Sequence, residues 1–441
     1  MGSIVEMNKE RELKKELGVL TAISIVVGSV IGAGVFFKPY AIYQATGGAP
    51  GMGMLAWIIG GLMSIFGALT FAEIAVLIPK TGGMVAYLGD LFDKRLGFMA
   101  GWMQMIIFYP AFLAGYGVKV GSELSVYLGN HATIIGIIVI IAVVLLNISG
   151  TKTGSKVQVV STVCKLIPLF LIMIVGLALG KSDASIISPL VGEGKSSITA
   201  LGSTLLAVLF AFEGWTNVGA IAGEMKNPAK DLPKAIVGGV SIIMAIYLLI
   251  NIAYIKVIPA SELMNIESPA AAVAEVLFGK AGGSIIRIGI IISVIGAANG
   301  FLMSGSRVVY SLAKENSLPF ANKFSEVNEN GSPVNAIILI GSLACLYSLT
   351  GKFDLLTDIA VFSCWIFYTL TFLSVIKMRK DHPELERKYK VPLYPIVPLI
   401  AIISGAYVCI SYAISSPLLA GLSVVITLLG LVVMRNKNRE A

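Results

Sequence analysis

Long apolar runs separated by short polar interruptions dominate the chain from one end to the other. Twelve such runs begin near Leu17, Gly51, Leu96, Ala132, Lys156, Ser197, Lys234, Gly283, Pro333, Leu355, Val391 and Pro417. A helix of roughly 18–20 apolar residues crosses a hydrocarbon core of about 30 Å. The pattern therefore predicts an all-α, polytopic membrane protein with twelve transmembrane helices. Because twelve is even, both termini share one side. Composition agrees: 56% of the 441 residues are hydrophobic and 13% are charged, whereas a soluble domain is roughly 25% charged. The longest polar connection, KMRKDHPELERKYKVP, leaves no room for a soluble domain and is basic enough to rest on anionic inner-leaflet lipid.

Charge then fixes orientation. Of 33 lysines and arginines, 24 fall in the tail 1–16, in the connections after the even-numbered runs and in the tail 435–441. Six lie in the other connections, and Lys38, Lys119 and Lys165 lie within runs. The bias predicts cytoplasmic termini. The polar start leads into an apolar run too long for a cleavable signal, so that run is expected to stay as a span. Cys164, Cys345, Cys364 and Cys409 all sit inside apolar runs, which suits packing residues rather than a disulfide framework. No phosphate-binding loop, zinc-ligand spacing or nucleophile elbow is present, so neither an enzyme nor a metal or cofactor is expected, and nothing suggests nucleic acid.

Two runs carry breaks. GSVIGAG, residues 28–34, sets three glycines near the middle of the first run, and FAFEGW sets Glu213 and Gly214 near the middle of the sixth. Glycine costs a helix ~1 kcal/mol relative to alanine, and an unwound stretch survives in a membrane only where protein, water or ligand replaces its lost hydrogen bonds. Close helix packing through Gly28 and Gly32 is the alternative for the first run alone. The second break, five runs later, favours a pair of five-helix halves, 17–182 and 197–380, the second inverted, followed by two helices in 391–434. Interrupted helices at matching positions of inverted halves point to a midplane site. Free N–H groups at a half-helix start attract an anion and free C=O groups at a half-helix end attract a cation, so the breaks suit a zwitterionic amino acid.

GSVIGAGVFFKP with PKTGG, FAFEGW, EMKNPAKDLPKAI and SGSRVVYSLAKENSLPF together resemble the amino acid–polyamine–organocation superfamily. Within it the chain is most similar to the L-amino acid transporter family, especially bacterial serine/threonine and alanine-serine-cysteine exchangers. The resemblance spans almost the whole chain. It implies the five-plus-five inverted-repeat fold with two extra C-terminal helices, in a bacterial-type inner membrane. It also implies sodium-independent exchange of small neutral L-amino acids by alternating access. Carried over by residue, Ala33 and Gly34 would offer N–H groups to the substrate carboxylate, with Gly32 allowing close approach. The carbonyls of Val30, Phe210, Ala211 and Glu213 would receive the ammonium, and Phe301 would cover the side chain. Phe212 would contribute to a gate. Lys165, deep in the fifth run, would bond a carbonyl freed in the first run, Gly28 foremost, and stand where sodium-driven relatives bind Na⁺; snorkelling to the cytoplasmic interface is its alternative.

The remaining intramembrane polar groups carry weaker expectations. The Glu213 carboxylate is expected in a solvated vestibule, with the ligand, a gating water or Lys119 as other partners. Glu73 is expected at a helix end or on a cytoplasmic lysine, with proton coupling as the alternative, and Lys38 at the outer interface. Tyr247 and Asn299 suit interhelical bonds or the border of the site. Arg307 and Lys314 suit a cytoplasmic gate network or plain positive-inside bias. In animal relatives a cysteine in the loop after the third span bonds a heavy subunit; here that loop has none, so no such partner is expected. A proton-coupled symporter of the same fold, and a receptor that binds an amino acid without moving it, are the rival functions.

Overall fold

The computed structural model describes residues 18–78, 83–216 and 227–434, and among these it is helical with no strands. The chain opens with α1 (Val19–Val30) and α2 (Gly34–Thr46), separated at residues 31–33, and continues in α3 (Pro50–Leu77). A short α4 (Met84–Leu91) leads to α5 (Lys94–Met103), which passes through a π turn, Gln104–Phe108, into α6 (Tyr109–Leu128). Next come α7 (Ala132–Ile148), α8 (Thr151–Leu179) and α9 (Ser197–Phe212). The second half contains α10 (Pro228–Val257), the single turn α11 (Ala260–Leu263) and α12 (Pro269–Lys314). It ends with α13 (Ala321–Phe324), α14 (Val334–Ser348), α15 (Phe353–Asp381), α16 (Ile396–Ser415) and α17 (Pro417–Val433). Among the described residues six helices are long and apolar enough to cross a membrane, and five shorter apolar helices accompany them.

Most helices start within two residues of the apolar runs. Four do not, for local reasons. α8 and α10 begin earlier, at Thr151 and Pro228, because the polar TKTGS and PAKDL turns are helical too, with proline in the first turn of α10 where its missing N–H costs nothing. α12 starts at Pro269 rather than near Gly283, because two helical stretches meet at Gly279, whose φ of 69° only glycine adopts freely. α16 starts at Ile396 rather than Val391, whose N–H is held instead by the Glu73 carboxylate at 2.7 Å.

The connections gather at two ends. At one, Met52 at the start of α3 donates to Leu190 O at 2.9 Å, and a Cβ on Gly48 would lie 2.9 Å from Ser261. At the other, Asn328 and Asn330 donate to Ile148 O and Ser149 O at the end of α7, and Glu73 near the far end of α3 is gripped by the last turn of α15. α3, with 28 residues, is about 42 Å long and joins the two ends. Between them α1 packs on α10, α2 on α9, and both α9 and α10 on α3. A second group forms from α6, α7, α12 and α14, with α8 wedged between α12 and α10.

Two charged residues sit where the sequence did not put them. Lys38 is fully buried rather than at an interface: its Nζ lies 2.8 Å from Asp354 and from Thr357 and 3.2 Å from Asp358. Glu73 meets arginines rather than a lysine. Arg379 forks onto both carboxylate oxygens at 2.8 and 2.6 Å, Arg387 Nε lies 3.6 Å away, and Arg379 stacks 3.9 Å over Tyr394. This cluster clamps α3, α15 and the strap before α16.

Removing one partner of a buried pair leaves an uncompensated charge. Arg379→Ala should therefore destabilise the detergent-solubilised protein by about 3 kcal/mol, the low end for such a loss because Arg387 stays close. Lys377→Ala, which removes an exposed, solvent-screened pair with Asp381, should cost far less. Thermal melting of the two variants checks the contrast; equal effects contradict it.

Candidate functional site

The site begins where α1 stops. Ile31 turns out of the helix with ψ of 108°, its N–H still bonded to Val27 O at 3.1 Å. The carbonyls of Gly28 and Val30 then lose their helical donors, and side chains from other helices approach both. Lys165 Nζ of α8 donates to Gly28 O at 2.5 Å. The Tyr247 hydroxyl of α10 lies 3.4 Å from Val30 O and donates to Ala211 O, in the last turn of α9, at 2.9 Å. Lys165 is 4% exposed, so its stem does not carry the ammonium out to an interface.

α9 ends as abruptly. Glu213 is extended with ψ of 141°, and Gly214 takes φ of 115°, a conformation that a side chain would strain. The two breaks touch: a Cβ on Gly34 would lie 2.4 Å from Ala211 Cα, so only glycine allows α2 to start there. The first turn of α2 thus presents N–H groups beside the carbonyl ends of α1 and α9. Partial positive and partial negative helix ends adjoin. How the sixth run continues beyond Thr216 falls in residues 217–226, outside the described residues.

Both breaks line one cavity of about 1060 Å³. The first contributes Gly28, Val30, Gly32, Ala33 and Gly34, the second Phe210 and Glu213, and Lys165 and Phe301 also reach it. Four other expected residues stand behind its wall. Ala211 carries the Tyr247 bond, Phe212 packs against Trp57 and Tyr247, and Asn299 accepts from Asn147 at 3.0 Å. Over the cavity Phe301 stacks on Phe112 at 4.5 Å, and Phe112 on Phe210 at 5.0 Å. The cavity reaches the surface beside exposed Arg307, Lys314 and Gly331, at the end where Glu73 is clamped.

Glu213 departs from expectation. Its carboxylate is buried against α15, where Tyr368 donates to Oε1 at 2.6 Å, while Oε2 has no partner among the described residues. Lys119 lies elsewhere, donating to Glu267 O at 3.1 Å over the rings of Phe37 and Phe353.

Sequence reasoning also missed the π turn. Pro110 has no N–H for Ile106 O, four residues earlier, and the hydroxyl of Tyr347 fills that place at 2.9 Å. The extra residue per turn points Gln104 into the cavity, 8% exposed. A proline about four turns into the third apolar run was the available signal.

A half-helix pair of this kind has no bond-making group. It can hold opposite charges on neighbouring atoms, and it opens to one side. Over 439 residues, 98% of this chain and 99% of the relative, the sequence is 40% identical to the serine/threonine exchanger SteT of Bacillus subtilis. It is 30% identical to the human b(0,+)-type amino acid transporter 1, covering 93% of this chain and 85% of that one. With the mouse Asc-type amino acid transporter 1 it shares 27% over 95% and 80%. The family described as amino acid permease matches residues 17–434. Broken helices around one cavity and near full-length relatives converge: the chain belongs to the amino acid permease family, whose members are transporters and not enzymes.

Proposed function

We propose that the protein exchanges small neutral L-amino acids, of the serine, threonine, alanine and cysteine type, across a bacterial-type inner membrane without sodium. The observation that carries this reading is the contact of the two breaks at Gly34 and Ala211, which turns half-helix ends of opposite sign into one cavity. The substrate carboxylate binds the N–H groups of Ala33 and Gly34, and its ammonium the carbonyls around Val30, Phe210 and Glu213. Phe301 covers the side chain, and its stack on Phe112 favours small ones. A relative named as a serine/threonine exchanger, 40% identical over nearly the full length, supports the substrate class.

In this reading the twelve spans comprise inverted halves 17–182 and 197–380 plus two helices, with tails 1–16 and 435–441 in the cytoplasm. The open end of the cavity then faces the cytoplasm, where lysines and arginines gather. Alternating access closes that end and opens the other, substrate shifting the balance through its different affinity for each state. The Lys165 ammonium acts as a tethered cation on Gly28 O, so no bound Na⁺ is needed to steady the end of α1. The loop after the third span offers no cysteine to a heavy subunit, and the protein works alone.

Proteoliposomes preloaded with L-serine should accumulate labelled L-serine, and exchange of sodium for choline should leave the rate unchanged. Empty vesicles should accumulate little. Uptake into empty vesicles driven by a pH gradient would instead identify a proton-coupled symporter, and binding without accumulation a receptor. Lys165→Ala should lower exchange by more than about tenfold, as loss of a buried charged hydrogen bond of ~1.5–3 kcal/mol implies, with membrane insertion retained. Undiminished exchange by a well-inserted Lys165→Ala protein refutes the role given to this lysine.

A further inference from the structure

We propose that Lys38 is a positioning residue for exchange: its ammonium locks the closed end of the cavity and connects that lock to the aromatic cover of the site. Four helices meet at this end. Lys38 comes from α2, only four residues after Gly34. Asp354, Thr357 and Asp358 come from the first turns of α15, at 2.8, 2.8 and 3.2 Å from its Nζ. Phe210 of α9 and Phe353 of α15 lie with their ring centroids 5.0 and 5.1 Å from the same atom. Lys119 of α6 approaches the Phe353 ring as well, at 5.3 Å, and brings a second cation to this end.

Three features make this a switch and not only a fastening. A buried ion pair is a poor way to gain stability, because desolvation offsets most of the attraction and apolar residues of like volume do as well. Exposure is also asymmetric: the Lys38 side chain is 0% exposed, whereas those of Asp354 and Asp358 are 34% and 30% exposed. Should α2 swing away, water already touching the carboxylates solvates them, and the lysine enters the opening water path. The lock can therefore break without stranding a charge in hydrocarbon.

The third feature is continuity with the site. Lys38 faces Phe210, Phe210 stacks on Phe112 at 5.0 Å, and Phe112 stacks on Phe301 at 4.5 Å with planes 9° apart. Phe210 is itself part of the second break. A ligand that draws Phe301 and the α9 end inward keeps the Phe210 ring beneath the ammonium, where cation–π attraction adds to the ion pairs. An empty site lacks that support. Lys38 thus acts through Phe210 and the α2–α15 contact, without touching substrate.

The test reads access from the closed end. Ala297, on the cavity wall beside Gly32, is replaced by cysteine in a background whose four native cysteines are alanine, and a membrane-impermeant maleimide is added on that side. Lys38→Gln should raise the labelling rate about tenfold, a shift typical of coupled two-state equilibria. It should also lower the KM for substrate presented at that end while lowering kcat. Lys38→Arg, which keeps the charge, should restore slow labelling. Unchanged labelling in an inserted Lys38→Gln protein overturns the proposal. Should that variant not insert, the pair Asp354→Asn and Asp358→Asn is read in the same way, and unchanged labelling there overturns it equally. The proposal rests on the alternating-access reading. Labelling needs no transport, however, so wild-type protein that exchanges but shows no Lys38 effect rejects only the lock, whereas wild-type protein that never exchanges rejects the function.

Discussion

Hydrocarbon supplies no hydrogen bonds, and that single constraint organises this protein. Every carbonyl that a helix gives up must find a donor inside the molecule. Again and again the donor is a long side chain from another helix. Lys165 answers Gly28 O, Tyr247 answers Ala211 O, Tyr347 answers Ile106 O and Lys256 answers Leu177 O. Irregular backbone is therefore not loose backbone. Each break is held in position by a side chain from a neighbouring helix, and what remains unanswered at the breaks opens to the cavity.

The closed and open ends follow from the same economy of partners. At the closed end Lys38, Lys119, Glu123 and Arg287 all find partners within the fold, Arg287 meeting Glu123 at 2.8 Å and Ser268 bonding the same carboxylate. At the open end Arg307 and Lys314 stand exposed at the mouth, while the Glu73 clamp lies to one side and fastens α3 to α15. An end rich in internal ion pairs is shut, and one whose cations face solvent is open. Switching between them requires the first set to be released, which partly exposed carboxylates make feasible.

Much of this was legible in the residues, and the reason differs by feature. Helix positions are set by length and hydropathy, which sequence carries openly, and helix starts slip where polar turns such as TKTGS remain helical, where two stretches meet at Gly279, or where Val391 is held by Glu73 instead. Glycines at 28, 32 and 34 announce a break because together they weaken a helix, and at 34 no other residue tolerates the approach of Ala211. Lys165 announces a partner because a buried ammonium needs one. What sequence hid were pairings set by helix rotation. Lys38 has a stem long enough to leave the bilayer, and only the arrival of Asp354 and Asp358, more than 300 residues later, turns it inward. Glu73 could meet any nearby cation, and which one depends on how the strap after α15 folds back. Phe212 sits beside a break yet faces Trp57, since at the last turn of a helix one residue decides between cavity and core.

In the proposed function two touching breaks hold the two charges of one amino acid. Electron density for the purified protein with L-serine bound would show where those charges lie. The account expects the carboxylate within hydrogen-bond distance of the Ala33 and Gly34 nitrogens and the ammonium among the carbonyls of Val30, Phe210 and Glu213. Serine bound away from residues 30–34, or held by side-chain charges at the mouth with both breaks left to water, would contradict it.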